Sequence, residues 1–248
     1  MSRYTFCWLV ISLVFLWSCS QANFGKMEPD ALLETANSLF ERGKITKALE
    51  AYQTFALNHP LHPQNALVQY RIAESYYQIE DYENAEFEYS ELLRLYPDSP
   101  DIEEANFKLA TCFCYRSLRP ALDQEMTETA LLKLRSFVAD FPNSQYVPQA
   151  KELMKDMRNK LLEKKYLNAN TYFDMRSYSA ALMYLDEILA QPAPEALLAK
   201  SYLLKAECLI EKKEFSEAEQ VLQKLQTEMP QFKPKRIEKL MRQAQAGS

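Results

Sequence analysis

The chain has 248 residues, is 48% apolar and 25% charged, carries a formal net charge of −5, and holds only three Gly against 12 Pro. That charge balance argues against nucleic acid as the main partner, which calls for a basic stripe or patch, and the composition is that of an ordinary folded body. So few Gly, with Pro kept to segment ends, suits a nearly all-helical chain, because Gly costs about 1 kcal/mol in a helix interior. No alternating strand pattern bounded by turn residues is found.

In chain order, Met1-Ser2-Arg3 is a short positive start, and Tyr4 to Trp17 is an uncharged, mostly apolar stretch of 14 residues. A membrane span needs about 20 residues, so this stretch has the length of a secretory signal core instead. It ends in Leu16-Trp17-Ser18-Cys19, followed by the polar Ser20-Gln21-Ala22-Asn23. A small residue before Cys, with Leu three places before it, resembles the bacterial lipoprotein cleavage box, although Trp17 stands where a small residue is usual. Residues 1–18 then form a lipoprotein signal peptide and 19–28 a tether. Cys19 becomes the new N-terminus and carries acyl chains such as palmitate, which hold the protein to a bilayer. An ordinary signal peptide cut elsewhere and an uncleaved anchor are the alternatives. By resemblance to enteric lipoproteins, Ser20 in place of Asp after the Cys fits sorting to the outer membrane.

One pattern recurs from residue 29 onward. Ala48, Ala85, Ala130, Ala181 and Ala218 are separated by 37, 45, 51 and 37 residues. An aromatic or Leu follows each after four residues (Tyr52, Tyr89, Leu134, Leu185, Leu222), and a large apolar residue after seven (Phe55, Leu92, Phe137, Ile188, Leu225). Pro60, Pro97, Pro142 and Pro230 each lie twelve residues after their Ala, and Ala36, Ala73, Ala169 and Ala206 lie twelve before theirs. This resembles the tetratricopeptide repeat, a helix pair packed through small residues and ended by Pro. The expected fold is all-α, a solenoid of five such pairs, because one pair alone cannot bury its apolar face.

The first pair is expected at Asp30–Arg42 and Ile45–Asn58, turning at Gly43, and the second at Gln64–Ile79 and Tyr82–Leu95. In the third, the first helix covers Asp101–Ser117, and the longer gap predicts a loop from Leu118 to Thr127 before a helix ending at Asp140. The 14 further residues of the fourth copy are almost four turns at 3.6 residues each, so Val147–Met175 is expected as one lengthened helix. Its basic residues Lys151, Lys155, Arg158, Lys160, Lys164 and Lys165 read either as a solvated face or as a docking ridge. The fifth pair is expected at Pro194–Lys212 and Phe215–Glu228, and the tail from Gln231 as a capping helix or a frayed end. Two halves follow, 29–142 with repeats one to three and 143–248 with the long helix and repeats four and five.

Chemistry is sparse. Cys112 and Cys114 point to different sides of one helix, which makes a mutual disulfide poor, and with no His beside them Cys112, Cys114 and Cys208 read as buried apolar residues. His59 and His62 share one loop, and no Gly-rich phosphate loop occurs. No catalytic site, metal site or cofactor is expected.

A lipoprotein leader followed by five repeats, with an insert in the third and an extension in the fourth, resembles the BamD family, the lipoprotein subunit of the bacterial β-barrel assembly machinery (BAM complex). The segments that carry the resemblance are Asp123-Gln124, Thr129-Ala130, Phe137, Asp140-Phe141-Pro142-Asn143-Ser144-Gln145-Tyr146, Ala150 and Asp156-Met157-Arg158-Asn159-Lys160-Leu161. Lys165 and the turn Met175-Arg176-Ser177 depart from it. The resemblance implies a non-catalytic adaptor at the periplasmic face of the outer membrane. Its first repeats would take the C-terminal segment of unfolded outer-membrane proteins, and its last repeats would dock on the barrel insertase, with accessory lipoproteins as further partners. A periplasmic repeat lipoprotein scaffolding cell-wall synthesis or envelope integrity is the alternative.

First helices line the groove of such repeats. The inward steps are Leu33, Asn37 and Phe40, then Tyr70, Glu74 and Tyr77, then Phe107, Thr111 and Tyr115. These suit an extended peptide ending in an aromatic residue, or else they pack as core, with Arg71 placed to meet a terminal carboxylate. For partner docking the resemblance points to Arg158, Lys165 and Tyr184.

Overall fold

The computed structural model describes residues 24–247, so Cys19 and the leader lie outside the described residues. A short 3₁₀ turn, Phe24–Lys26, precedes α1 (Pro29–Glu41), α2 (Ile45–Asn58), α3 (Asn65–Gln78), α4 (Tyr82–Leu95), α5 (Ile102–Arg116) and α6 (Glu125–Asp140). Then come α7 (Val147–Asp174), α8 (Tyr178–Leu189), α9 (Glu195–Glu211), α10 (Phe215–Glu228) and α11 (Pro234–Gly247). Each helix packs on its neighbours in sequence, and α9 also touches α7 and α11. The described chain is an all-α solenoid of five tetratricopeptide helix pairs closed by α11.

The recurring alanines explain the pairing. Ala36, Ala48, Ala73, Ala85, Ala130, Ala169, Ala181, Ala206 and Ala218 are all 0% exposed, so the helices meet at points where only a methyl fits. The upstream alanine missing from the third copy is Ala110, also fully buried. The insert had moved it eight places out of phase.

Four of the turns between paired helices are one motif. Gly43, Glu80, Arg176 and Lys213 all have φ between 59 and 68°, and each lies five residues before its repeat alanine. Each donates its N–H to the carbonyl three residues back, and the next residue donates five back, as in Lys44 to Leu39 and Ser177 to Tyr172. This is the Schellman closure, which favours Gly because other residues pay for the left-handed region. A Cβ on Gly43 would meet nothing within 4 Å, so its backbone angle alone accounts for it. Arg176 is exposed and left-handed. Arg176→Gly is therefore expected to stabilise by about 0.5–1 kcal/mol and to raise Tm by about 2–4 °C in a thermal melt. An unchanged or lower Tm would contradict this reading of the turn.

The long helix is continuous, 28 residues, or about 42 Å at 1.5 Å per residue. Its first half buries Ala150 and Met157 in the core of repeats two and three. Beyond that, Leu162 packs with Ile188 and Leu197, and Ala169 with Ala181 and Leu185. Thus α7 is the joint between the core of repeats two and three and the helices α8 and α9.

Two of its lysines are committed to that joint. Lys160 Nζ donates to the Ser117 carbonyl at 3.3 Å and to Ser117 Oγ at 2.7 Å, while Lys164 Nζ donates to the carbonyls of Ala121 at 3.1 Å and Leu122 at 3.2 Å. From within the insert, Gln124 Nε2 donates to the carbonyls of Arg119, Leu122 and Asp123 at 2.9–3.1 Å. The loop is an ordered plug whose backbone carbonyls find donors on α7, as segments without secondary structure require. The tail is a full capping helix that buries Ile237, Leu240 and Ala244. No helix among the described residues is long and apolar enough to cross a membrane.

Candidate functional site

Helices α1, α3 and α5 carry the nine inward-step positions, and the structure sorts them by cover. Leu33, Tyr70, Glu74, Phe107 and Thr111 are buried, Asn37, Phe40 and Tyr77 are half-buried, and Tyr115 is 56% exposed.

Two clusters result. In the first, the Tyr52 hydroxyl donates to Asn37 Oδ1 at 2.7 Å, and the Tyr52 ring lies edge-on to Phe40 at 6.3 Å. The Arg71 guanidinium sits over the Phe40 ring, 5.0 Å from its centroid. Burial pushes the Tyr52 hydroxyl up to about 12, against the pull of Arg71. Arg71 is half-buried, and its Nε has no hydrogen-bond partner. That Nε is itself sealed from the surface, so an outside acceptor would meet the remaining N–H donors of the guanidinium fork.

The second cluster joins α3, α4 and α5. Glu74, 7% exposed, accepts a hydrogen bond from the Tyr89 hydroxyl and another from Lys108 Nζ at 2.8 Å. The same ammonium lies 4.4 Å from the Tyr77 ring centroid, and the Tyr77 hydroxyl bonds Thr111 Oγ1 at 3.0 Å. Tyr115 stacks on Tyr82 at 4.7 Å and meets Tyr77 edge-on at 6.1 Å. Phe107 stacks on Tyr146 at 4.8 Å. Burial pushes the hydroxyls of Tyr70, Tyr77 and Tyr89 up, and the Glu74 carboxylate adds to the effect on Tyr70 and Tyr89. These hydroxyls therefore act as neutral hydrogen-bonding groups.

Lys108, Tyr82, Tyr52 and Tyr89 escape the sequence reading. The last two follow their repeat alanines and read as core, which they also are. Lys108 stands one turn before the step that ends at Thr111, and a lone base there opposite a lone acid at Glu74 was the available signal.

Beside the first cluster, Asp30, Glu34, Asn37, Glu41 and Gln64 line a shallow depression of about 430 Å³. Its rim is acidic, through Asp30, Glu34 and Glu41.

Of the three docking candidates, Lys165 and Tyr184 lie where α7 meets α8, and Arg158 lies two turns before Lys165 on α7. Arg158 is exposed, and its Nε donates one turn back to the Met154 carbonyl at 3.3 Å. Lys165 pairs with Glu187 of α8, and Tyr184 stacks on Tyr172 at 5.6 Å. Arg158, Lys165 and Tyr172 fall at steps of seven along one stripe of α7, so the candidates lie on a common strip.

The three described cysteines are free and buried. Burial pushes the Cys112 thiol up to about 12, Cys114 to about 11 and Cys208 to about 12. Thiols so far from ionising are poor nucleophiles and serve as packing.

A family model described as outer membrane lipoprotein, YfiO, matches residues 25–205. Over 181 residues the chain is 23% identical to the outer membrane protein assembly factor BamD of Caulobacter vibrioides, a match covering 70% of this chain and 59% of that protein. The chain thus spans less than two thirds of the curated relative's length. Among solved structures, the P58(IPK) tetratricopeptide domain aligns with a TM-score of 0.44 and 20% identity, over 81% of this chain and 51% of that one. The TPR2AB domain of yeast Sti1 aligns with a TM-score of 0.43 and 14% identity, over 88% and 98%.

Proposed function

The chain belongs to the YfiO family of outer membrane lipoproteins, and from that premise we propose that it is a non-catalytic adaptor in the assembly and insertion of outer-membrane β-barrel proteins. Its place is the periplasmic face of the outer membrane, held by acyl chains on Cys19.

Repeats one to three take the C-terminal segment of an unfolded barrel protein. Phe40, Tyr77, Tyr82 and Tyr115 offer ring faces and edges for aromatic side chains, and Arg71 offers its guanidinium charge to the terminal carboxylate. The buried members, Leu33, Tyr70, Glu74, Phe107 and Thr111, hold those groups at fixed positions. The second half docks on the periplasmic domains of the barrel insertase, and on accessory lipoproteins, along the strip of Arg158, Lys165 and Tyr184.

The observation that supports this reading most is the family match itself. It runs from the first repeat through the braced insert and α7 into α9, which takes in both proposed surfaces. The test is affinity capture from detergent-solubilised membranes. The expected catch is a large outer-membrane barrel protein together with unfolded barrel substrates, and Arg71→Ala is expected to lose the substrates while keeping the insertase. Recovery of murein synthases or envelope-integrity proteins in their place would overturn the reading.

A further inference from the structure

We infer that the end of the first repeat, at Leu57 and Leu61, is a lipid-contacting knob that seats this end of the solenoid on the bilayer surface. Leu57 is 80% exposed and Leu61 95% exposed, the highest values among the large hydrophobic residues described.

The loop that bears Leu61 is built the wrong way round for water. His59 and His62, which water solvates well, turn their rings onto Phe55, at centroid distances of 5.3 and 4.9 Å, and Phe55 is 0% exposed. Leu61, which the core would hold, points out. The conformation is not loose. Asn65 Nδ2 donates to the His59 carbonyl at 2.8 Å, His62 N–H donates to the same carbonyl at 3.0 Å, and Pro60 and Pro63 restrict the backbone. A held loop that turns its apolar residue outward presents that residue to something.

What it faces follows from where the chain enters the fold. Phe24 is buried in the core of the first repeat and packs against α2. The start of α1 lies at the same end as the loop, since Asp30 comes within 3.9 Å of His62 Nε2. From Cys19 to Phe24 is five residue steps, which span at most about 18 Å at 3.3–3.6 Å per residue. The inference rests on acylation of Cys19. Given that anchor, Phe24 stays within about 18 Å of the bilayer, which puts this end of the first repeat within reach of the headgroup boundary, where apolar side chains gain by entering. The neighbouring exposed charges are mixed, Lys26 against Glu28 and Asp30, so the contact is apolar and insensitive to salt.

The chain's two tryptophans, Trp8 and Trp17, both precede Cys19, so the processed lipoprotein has none and accepts a single reporter. Lipidated Leu61→Trp and Leu132→Trp proteins are placed in phosphatidylethanolamine–phosphatidylglycerol vesicles with and without brominated acyl chains. Leu132, 63% exposed on α6 in the third repeat, serves as the reference. Neither change removes a packed side chain. The expected result is blue-shifted emission and several-fold stronger bromolipid quenching at position 61 than at 132, unchanged by high salt. Vesicle flotation without preferential quenching at 61 would overturn the knob and leave the anchor standing. Failure to float with the vesicles would overturn both.

Discussion

Phe55→Ala is expected to be the most damaging single change, costing about 3–5 kcal/mol. Phe55 is fully buried in the core of the first repeat, with Leu32, Leu49 and Tyr52. It is also the ring on which both histidines of the next loop rest. Truncation leaves a cavity there and frees the loop that bears Leu61. In a solenoid each pair is stabilised by itself and its neighbours, so the loss stays local. Hydrogen exchange is the measurement. Amides of α1 and α2 should exchange about 10²–10⁴ times faster, and those of α9 to α11 should not change. Uniform acceleration along the chain would show that the repeats do not act as separable units.

The second large effect is centred on Glu74. Its carboxylate is nearly sealed from water, and Lys108 holds it across the gap between α3 and α5, with side-chain exposures of 10% and 19%. Removing either partner strands the other, at a cost of about 3 kcal/mol. Glu104 lies 4.0 Å from Lys108 Nζ and offers the ammonium partial relief, so Lys108→Met should cost more than Glu74→Gln. The double variant should recover much of the loss, with a coupling of about 2 kcal/mol in a denaturant-unfolding cycle. Simple additivity would show that the pair contributes nothing as a pair. Tyr77 adds a second readout, since Lys108 sits on its ring and its hydroxyl bonds Thr111. If this cluster sets the aromatic platform, Lys108→Met should also weaken peptide binding.

Periodicity made the fold legible. The alanine spacing located nine of the small contact residues because nothing else keeps so fixed an interval. An excess of 14 residues read as whole turns because that stretch holds no Gly and a Pro only at its start. Ala110 stayed hidden because an insertion lies between it and Ala130. The left-handed turns at Glu80, Arg176 and Lys213 were hidden for another reason. The backbone bonds of the closure hold charged residues in a conformation that composition assigns to Gly.

The site was harder to read. Steps of three and four identify the face of α3 that looks toward α5, and they place Tyr70, Glu74 and Tyr77 on it. They do not tell whether the next helix covers that face. Here α5 comes close enough for Lys108 and Thr111 to satisfy Glu74 and Tyr77, and half of the candidate groove becomes the packing beneath it. The surviving surface is offset toward Phe40 and Arg71 at one end and Tyr82 and Tyr115 at the other. The basic run on α7 is divided in the same way. Lys160 donates to Ser117 and Lys164 to the carbonyls of Ala121 and Leu122, whereas Lys165 pairs with Glu187 of α8 and Arg158 stays exposed.

The most direct measurement is depletion of the protein from its own cells, followed by quantification of folded outer-membrane barrel proteins. An adaptor of barrel assembly predicts a general fall across unrelated barrels, with unfolded forms accumulating in the periplasm. Barrel levels that stay constant while the cell wall changes would contradict it.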